Sequence, residues 1–147
     1  MTNEFVFVRK PALWVGFFCW VAKDGFQQEK KVNYPLWALR ELVMNAVMHR
    51  SYDSNAPIYL YHFTDRIEII NPGSLYGEVR PENFPGASDY RNPVLATAMK
   101  NLNYVNRFNF GIFNAQKQLE KNGNPPAEFD LSLQTKFKVT IWINQNW

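Results

Sequence analysis

Ala38-Leu39-Arg40-Glu41-Leu42-Val43-Met44-Asn45-Ala46-Val47-Met48-His49-Arg50 is the stretch on which the reading of this fold turns. Leu39, Leu42, Val43, Ala46 and Val47 recur at helical spacing and form one apolar face. Glu41 and Asn45 are four apart and share another side of that helix, with His49 four further on. Packing alone does not call for such a ladder of carboxylate, carboxamide and imidazole. A site that holds a metal-bound phosphate and a water does use those groups. Pro35 precedes the run, and the pattern predicts a helix over residues 36–50.

Toward the C-terminus, residues 51–57 have the composition of a loop. Residues 58–63 and 66–71 are rich in aromatic and β-branched side chains, and Thr64-Asp65 lies between them. That arrangement predicts a β-hairpin. Pro72-Gly73 ends its second strand, and residues 74–92 show no period, as in functional loops. Helices are expected over 94–101, opened by Pro93, and over 109–121, closed by Gly123-Asn124-Pro125-Pro126. Residues 137–143 alternate cleanly and predict a half-buried strand.

Toward the N-terminus, residues 4–8 suggest a short strand or ordered arm and residues 27–33 an edge strand. The apolar run over 12–22 is too short for a membrane span, which takes about 20 residues. Arg9-Lys10 precede it, but no small-residue cleavage site follows, so a buried helix over 11–22 is preferred to a signal peptide. The element order predicts an α+β fold, a two-layer sandwich whose mixed sheet carries helices on one face. The 147 residues suit one domain, with 1–29 as an N-terminal helical arm and 30–143 as the body.

Hydrophobic residues make up 46% and aromatic residues 16%, enough for a real core. The net charge of +3 lacks the dense Lys/Arg run expected of a nucleic-acid binder. The one cysteine, Cys19, rules out an internal disulfide and suits a reducing cytoplasm; its apolar neighbours favour a buried, inert thiol. No G-x-x-x-x-G-K-[ST] loop encodes a helicase motor, and no Cys/His cluster encodes a zinc site.

The candidate chemistry begins with Glu41, which on a pocket wall would orient or deprotonate water; on an open helix face it would be ordinary surface charge. The Asn45 carboxamide oxygen could ligate Mg²⁺, and an Asn within a helix has poor propensity without a role. His49 and Arg50 could bind phosphate, or could serve only the negative end of the helix dipole. Asn71-Pro72-Gly73 lets a ligand approach the backbone, or is a plain turn. Arg91 could reach a phosphate or pair with Asp89, and Gly111 stands near a helix N-terminus, where anions bind.

Tyr34-Pro35, Leu39-Arg40-Glu41 with Asn45 to Tyr52, Asp65 to Leu75, Arg91-Asn92-Pro93, and Arg107 with Gly111-Ile112 occur in this order. Together they resemble the C-terminal domain of RecG-related transcriptional regulators over about residues 30–143. The resemblance implies a fold similar to the ATP-binding domain of gyrase, MutL and histidine kinases. It implies Glu41 as the water-activating residue and Asn45 as the Mg²⁺ ligand, with ATP and Mg²⁺ as cofactors. His49, Arg50, Asn71, Gly73, Arg91, Arg107 and Gly111 would then contact the nucleotide.

The chain departs from these patterns at three places. Asn71 stands where the gyrase, MutL and histidine-kinase fold has an adenine-reading Asp, Leu75 where that fold has the last Gly of the box, and Asn109 where the family's phosphate lid has a Gly. These departures lead to the expectation of a regulatory, ligand-sensing or oligomerisation module with a degenerate nucleotide-binding fold. The alternatives are a working Mg-ATP-binding domain with weak ATPase activity, and a direct DNA-binding module. The resemblance also implies an Alba-like DNA-binding domain as partner, which these 147 residues do not contain. DNA would be reached only indirectly, homo-oligomers would be compatible with the aromatic surplus, and no membrane is involved.

Overall fold

A computed structural model describes residues 5–9, 18–22, 28–105 and 110–144, with side chains from residue 32 onward. Five strands form one mixed sheet in the order β1 (Phe5–Arg9), β4 (Ile58–His62), β5 (Arg66–Pro72), β7 (Lys136–Trp142), β6 (Glu128–Asp130). β1 runs parallel to β4 and the other pairs are antiparallel. A separate antiparallel pair joins β2 (Phe18–Ala22) to β3 (Gln28–Val32). The helices are α1 (Leu36–His49), α2 (Pro93–Asn101) and α3 (Gly111–Asn122). This is the expected α+β sandwich.

The sheet's inner face follows from strand alternation. Ile67 pairs with Ile141 and Ile69 with Val139 across β5 and β7, and all four side chains are buried. Ala38, Leu42 and Ala46 of α1 and Ala115 and Leu119 of α3 meet them in one core. Both helices therefore cover the same sheet face, as the apolar stripe of α1 predicts. The outer face carries Tyr59 stacked on Tyr61, with ring centroids 5.8 Å apart, and an Arg66–Glu68 ion pair at 2.7 Å. Phe63 N–H donates to the Arg66 carbonyl at 2.8 Å, which closes the hairpin around Thr64-Asp65.

The N-terminal region differs from expectation. The helix foreseen over 11–22 is a strand at 18–22, and residues 11–17 lie outside the described residues. A short apolar run is consistent with either element, and the Phe, Cys, Trp and Val of Phe18–Val21 favour the extended form. Where described, the foreseen helical arm is therefore strand, and β1 extends the main sheet beside β4. The edge strand β6 has no counterpart in the sequence reading. The Cys19 side chain lies outside the described part. No helix among the described residues is long and apolar enough to cross a membrane.

At the end of α3, Gly123 takes a left-handed conformation, φ 81°, and its N–H bonds back to the Glu120 carbonyl at 2.9 Å. Asn124 follows and is buried. Its Nδ2 donates to the carbonyls of Asn33 at 2.8 Å and Trp142 at 2.9 Å, while its Oδ1 accepts from Asn122 Nδ2 at 2.6 Å. One side chain thus fastens the end of α3 to the chain entering α1 and to β7.

Candidate functional site

Between α1, the inner face of β5 and β7, and the loop over 74–90 lies a cavity of about 120 Å³. The loop without a period is its outer wall, contributing Ser74 to Tyr76, Val79, Phe84 and Tyr90 among others. The ladder of α1 faces this space, since Glu41, Asn45 and His49 all line it. Their four-residue spacing had placed them on one side.

One end of the cavity is aromatic. Phe84 from the loop meets Phe129 of β6 and Phe137 of β7 edge-on, at centroid separations of 5.1 and 5.8 Å. Asn71 projects from β5 directly opposite Phe137 in the sheet register, and both line the cavity. Asn71 is 3% exposed. Its Nδ2 has only a long contact, 3.5 Å, to the Pro72 carbonyl. That distance is at the limit of a hydrogen bond, so the carboxamide is poorly satisfied for a buried polar group.

The other end is polar. The His49 ring stacks on Tyr90 with centroids 5.8 Å apart and planes 17° apart. Lys100 Nζ donates to the Tyr90 hydroxyl at 2.7 Å and lines the same wall. Burial, and secondarily the nearby Arg91 and Lys100, lower the His49 pKa from 6.5 to about 4, with Asp89 opposing. The imidazole is therefore neutral at pH 7. The unfolded chain takes up its proton near pH 6.5, so this contribution to stability is full above that pH and is lost as pH falls toward 4. Urea unfolding between pH 7.5 and 4.5 should show His49→Gln losing about 2–3 kcal/mol less than the parent. Equal losses in the two proteins would contradict a buried neutral His49.

Asn45 Nδ2 is buried and has no hydrogen-bond partner, on the wall of this cavity. An orphaned amide beside open space fits a ligand that supplies an acceptor. Glu41 is 5% exposed, and its carboxylate packs against the first residue of α3. A Cβ on Gly111 would collide with Glu41 Oε1 and lie 2.9 Å from its Cδ. Gly111 is thus required by the close approach of an acidic side chain to a helix N-terminus, where a negative charge is favourable.

The remaining predicted residues lie outside the cavity lining. Arg50 is buried, and its Nη2 donates to the carbonyls of Ser54 at 3.1 Å and Ala56 at 2.8 Å, so it binds the loop after α1. Gly73 has φ 101°, and its N–H donates to the Thr135 carbonyl at 2.9 Å. A Cβ there would lie 3.2 Å from Ser51 Cβ and 3.3 Å from the Arg91 guanidinium. The Asn-Pro-Gly segment is therefore a tight junction that shapes the wall from behind. Arg91 donates to the Ser74 carbonyl at 3.1 Å and lies over the Tyr76 ring at 4.6 Å. Arg107 and Asn109 lie outside the described residues. Phe84, Phe129, Tyr90 and Lys100 were not foreseen. They converge from distant segments, and no spacing in the sequence marks them.

The implied cofactors divide at this geometry. The buried amides of Asn71 and Asn45 and the aromatic wall fit a flat heterocycle. The phosphate side fits less well, because the Glu41 carboxylate already rests on the first turn of α3, and a second anion there would meet repulsion. Among the described residues, no three of His, Cys, Asp and Glu come together as a metal cage.

A family model described as "Putative ATP-dependent DNA helicase recG C-terminal" matches residues 55–141. No curated protein matches the chain. A crystal structure of the DIP2311 protein from Corynebacterium diphtheriae is similar, with a TM-score of 0.79 at 21% identity over 86% of this chain. The chain spans 26% of that protein's chain, and the likeness shows the shared fold.

Proposed function

This chain belongs to the family of RecG C-terminal domains, and from that premise we propose that it is the ligand-sensing module of a RecG-related regulator. It is an ATPase-like domain by family and fold. In this reading the cavity takes up a small planar ligand, and occupancy changes the loop over 74–90 that walls it. DNA is contacted by another domain, of the Alba-like kind, to which this module conveys the state of the cavity.

The observation that carries this reading is the seat of Glu41 on Gly111. A water-activating carboxylate must face the phosphate that is attacked. Here it occupies the positive end of α3, where the anion itself would be held. The site therefore keeps the recognition half of a nucleotide pocket while its own side chain fills the reactive half. Glu41 and Asn45 do share one cavity wall, which favours the second reading of a slow Mg-ATPase.

Phosphate release from Mg-ATP separates the two. The parent chain is expected to release phosphate no faster than Glu41→Ala. A parent rate that the substitution removes would overturn the sensing reading in favour of turnover.

A further inference from the structure

α1 and α3 turn their buried stripes to the sheet, and a helix covered on one side only is ordinarily polar on the other. Here the other side is apolar. On α1, Leu36 is 80% exposed and Trp37 39%, and Arg40 stands exposed one turn on. Nearby, Tyr104 is 50% exposed, Phe110 56% and Phe113 43%.

These residues form one surface. Arg40 Nη2 donates to the Asn103 carbonyl at 2.7 Å, which holds the residue before Tyr104 against α1. Glu41, next to Arg40, packs on Gly111, which follows Phe110. The Phe110 and Phe113 rings lie 6.5 Å apart. None of the six residues lines the cavity.

The size of the patch is that of an interface. A buried Phe, Tyr or Trp withdraws about 150–250 Å² from water, so four rings each roughly half exposed present about 300–500 Å². Leu36 adds to this. One side of a standard interface buries about 800 Å², a little over half of it apolar. The patch supplies that apolar share, and Trp, Tyr and Arg are the residue types in which interface energy concentrates.

Its chemistry is complementary to itself. It holds a guanidinium and several aromatic faces, so a two-fold axis lays each Arg40 on a ring of the other copy. Lys117 and Glu120 lie four and seven residues beyond Phe113, exposed on the same side of α3, and offer both members of an ion pair at the rim. A nucleic acid calls instead for a basic stripe. We infer that this surface seats a second copy of the chain across a two-fold axis, with Trp37, Arg40, Tyr104 and Phe113 at its centre. Pairing here does not depend on what the cavity binds.

Sedimentation velocity of the full chain, from low to a few hundred micromolar, tests the pairing. The expected mass is 17.3 kDa on dilution and twice that at the upper end. Phe113→Lys and Trp37→Lys are each expected to weaken pairing at least about 30-fold. Val94→Lys, at an exposed apolar position on α2 outside the patch, should leave it unchanged. Phe113→Ser serves if a lysine variant does not fold, with weakening of at least about tenfold expected. A single-chain mass throughout the range would overturn the inference. So would pairing that the Phe113 and Trp37 variants leave intact, or that Val94→Lys weakens equally. A mass that climbs past two copies without a plateau would also overturn it, since such a contact does not close on a two-fold axis.

Discussion

Asn124→Ala is expected to lower the unfolding free energy by about 3 kcal/mol, from one buried and one part-buried carbonyl left without this donor at roughly 1–3 kcal/mol each. The carbonyls are those of Asn33 and Trp142, which Asn124 Nδ2 reaches at 2.8 and 2.9 Å. The substitution also removes the acceptor of Asn122 Nδ2, whose other bond goes to the Val32 carbonyl at 2.8 Å. Three parts of the fold are released together: the end of α3, the entry to α1 and the last strand. Urea denaturation monitored by tryptophan fluorescence measures the loss. Asn124→Asp should cost at least as much, since it sets a carboxylate against the same two carbonyls. A loss below about 1 kcal/mol for both variants would show that water replaces these bonds freely.

Gly111→Ala has the second large effect, and it bears on the site. Helix propensity alone favours Ala over Gly by about 1 kcal/mol. The new methyl would nevertheless fall within the Glu41 carboxylate, so Glu41 must leave the first turn of α3 for the cavity. The expected result is a net destabilisation of about 1–2 kcal/mol, from the lost helix-terminus interaction and the overpacking. Glu41→Ala removes the obstacle, and in that background Gly111→Ala should become neutral or stabilising. The double-mutant cycle is therefore expected to show coupling of about 1–2 kcal/mol, whereas additivity within about 0.5 kcal/mol would mean that the two residues do not meet.

These two sites differ in how far the sequence exposes them. Glu41, Asn45 and His49 are legible because a helix converts a four-residue spacing into a shared direction, and the apolar stripe of α1 fixes which way the remaining sides face. The hairpin around Thr64-Asp65 is legible because strand alternation is equally local. Asn124 is readable only as part of a helix stop, because its partners Asn33 and Trp142 are 91 and 18 residues away in the chain. The strand over 18–22 reads equally as helix in the sequence, because a short apolar run carries no period that distinguishes the two. β6 has three residues, too few to alternate visibly.

Charge is ambiguous in a different way. By sequence Arg50 could bind phosphate or serve the helix dipole, and Arg91 could reach a phosphate or pair with Asp89. In the fold, Arg50 satisfies the carbonyls of Ser54 and Ala56, and Arg91 that of Ser74. An arginine that holds a loop and one that holds a ligand present the same letter at the same spacing. The aromatic wall of the cavity was hidden for a related reason. Phe84 lies in a loop 45 residues before Phe129, and Phe129 and Phe137 stand on different strands, so only the folded sheet brings the three rings to within 5.1–6.0 Å.

In the proposed function this cavity recognises a flat ring while its own carboxylate holds the anion position. Thermal melting of the full chain with millimolar adenosine, set beside millimolar Mg-ATP, tests it most directly. A ligand present at about 100 times its dissociation constant stabilises by about 2.7 kcal/mol, which melting resolves readily. Adenosine is expected to raise the melting temperature at least as much as Mg-ATP does. A large shift with Mg-ATP and none with adenosine, or no shift with either, would contradict it.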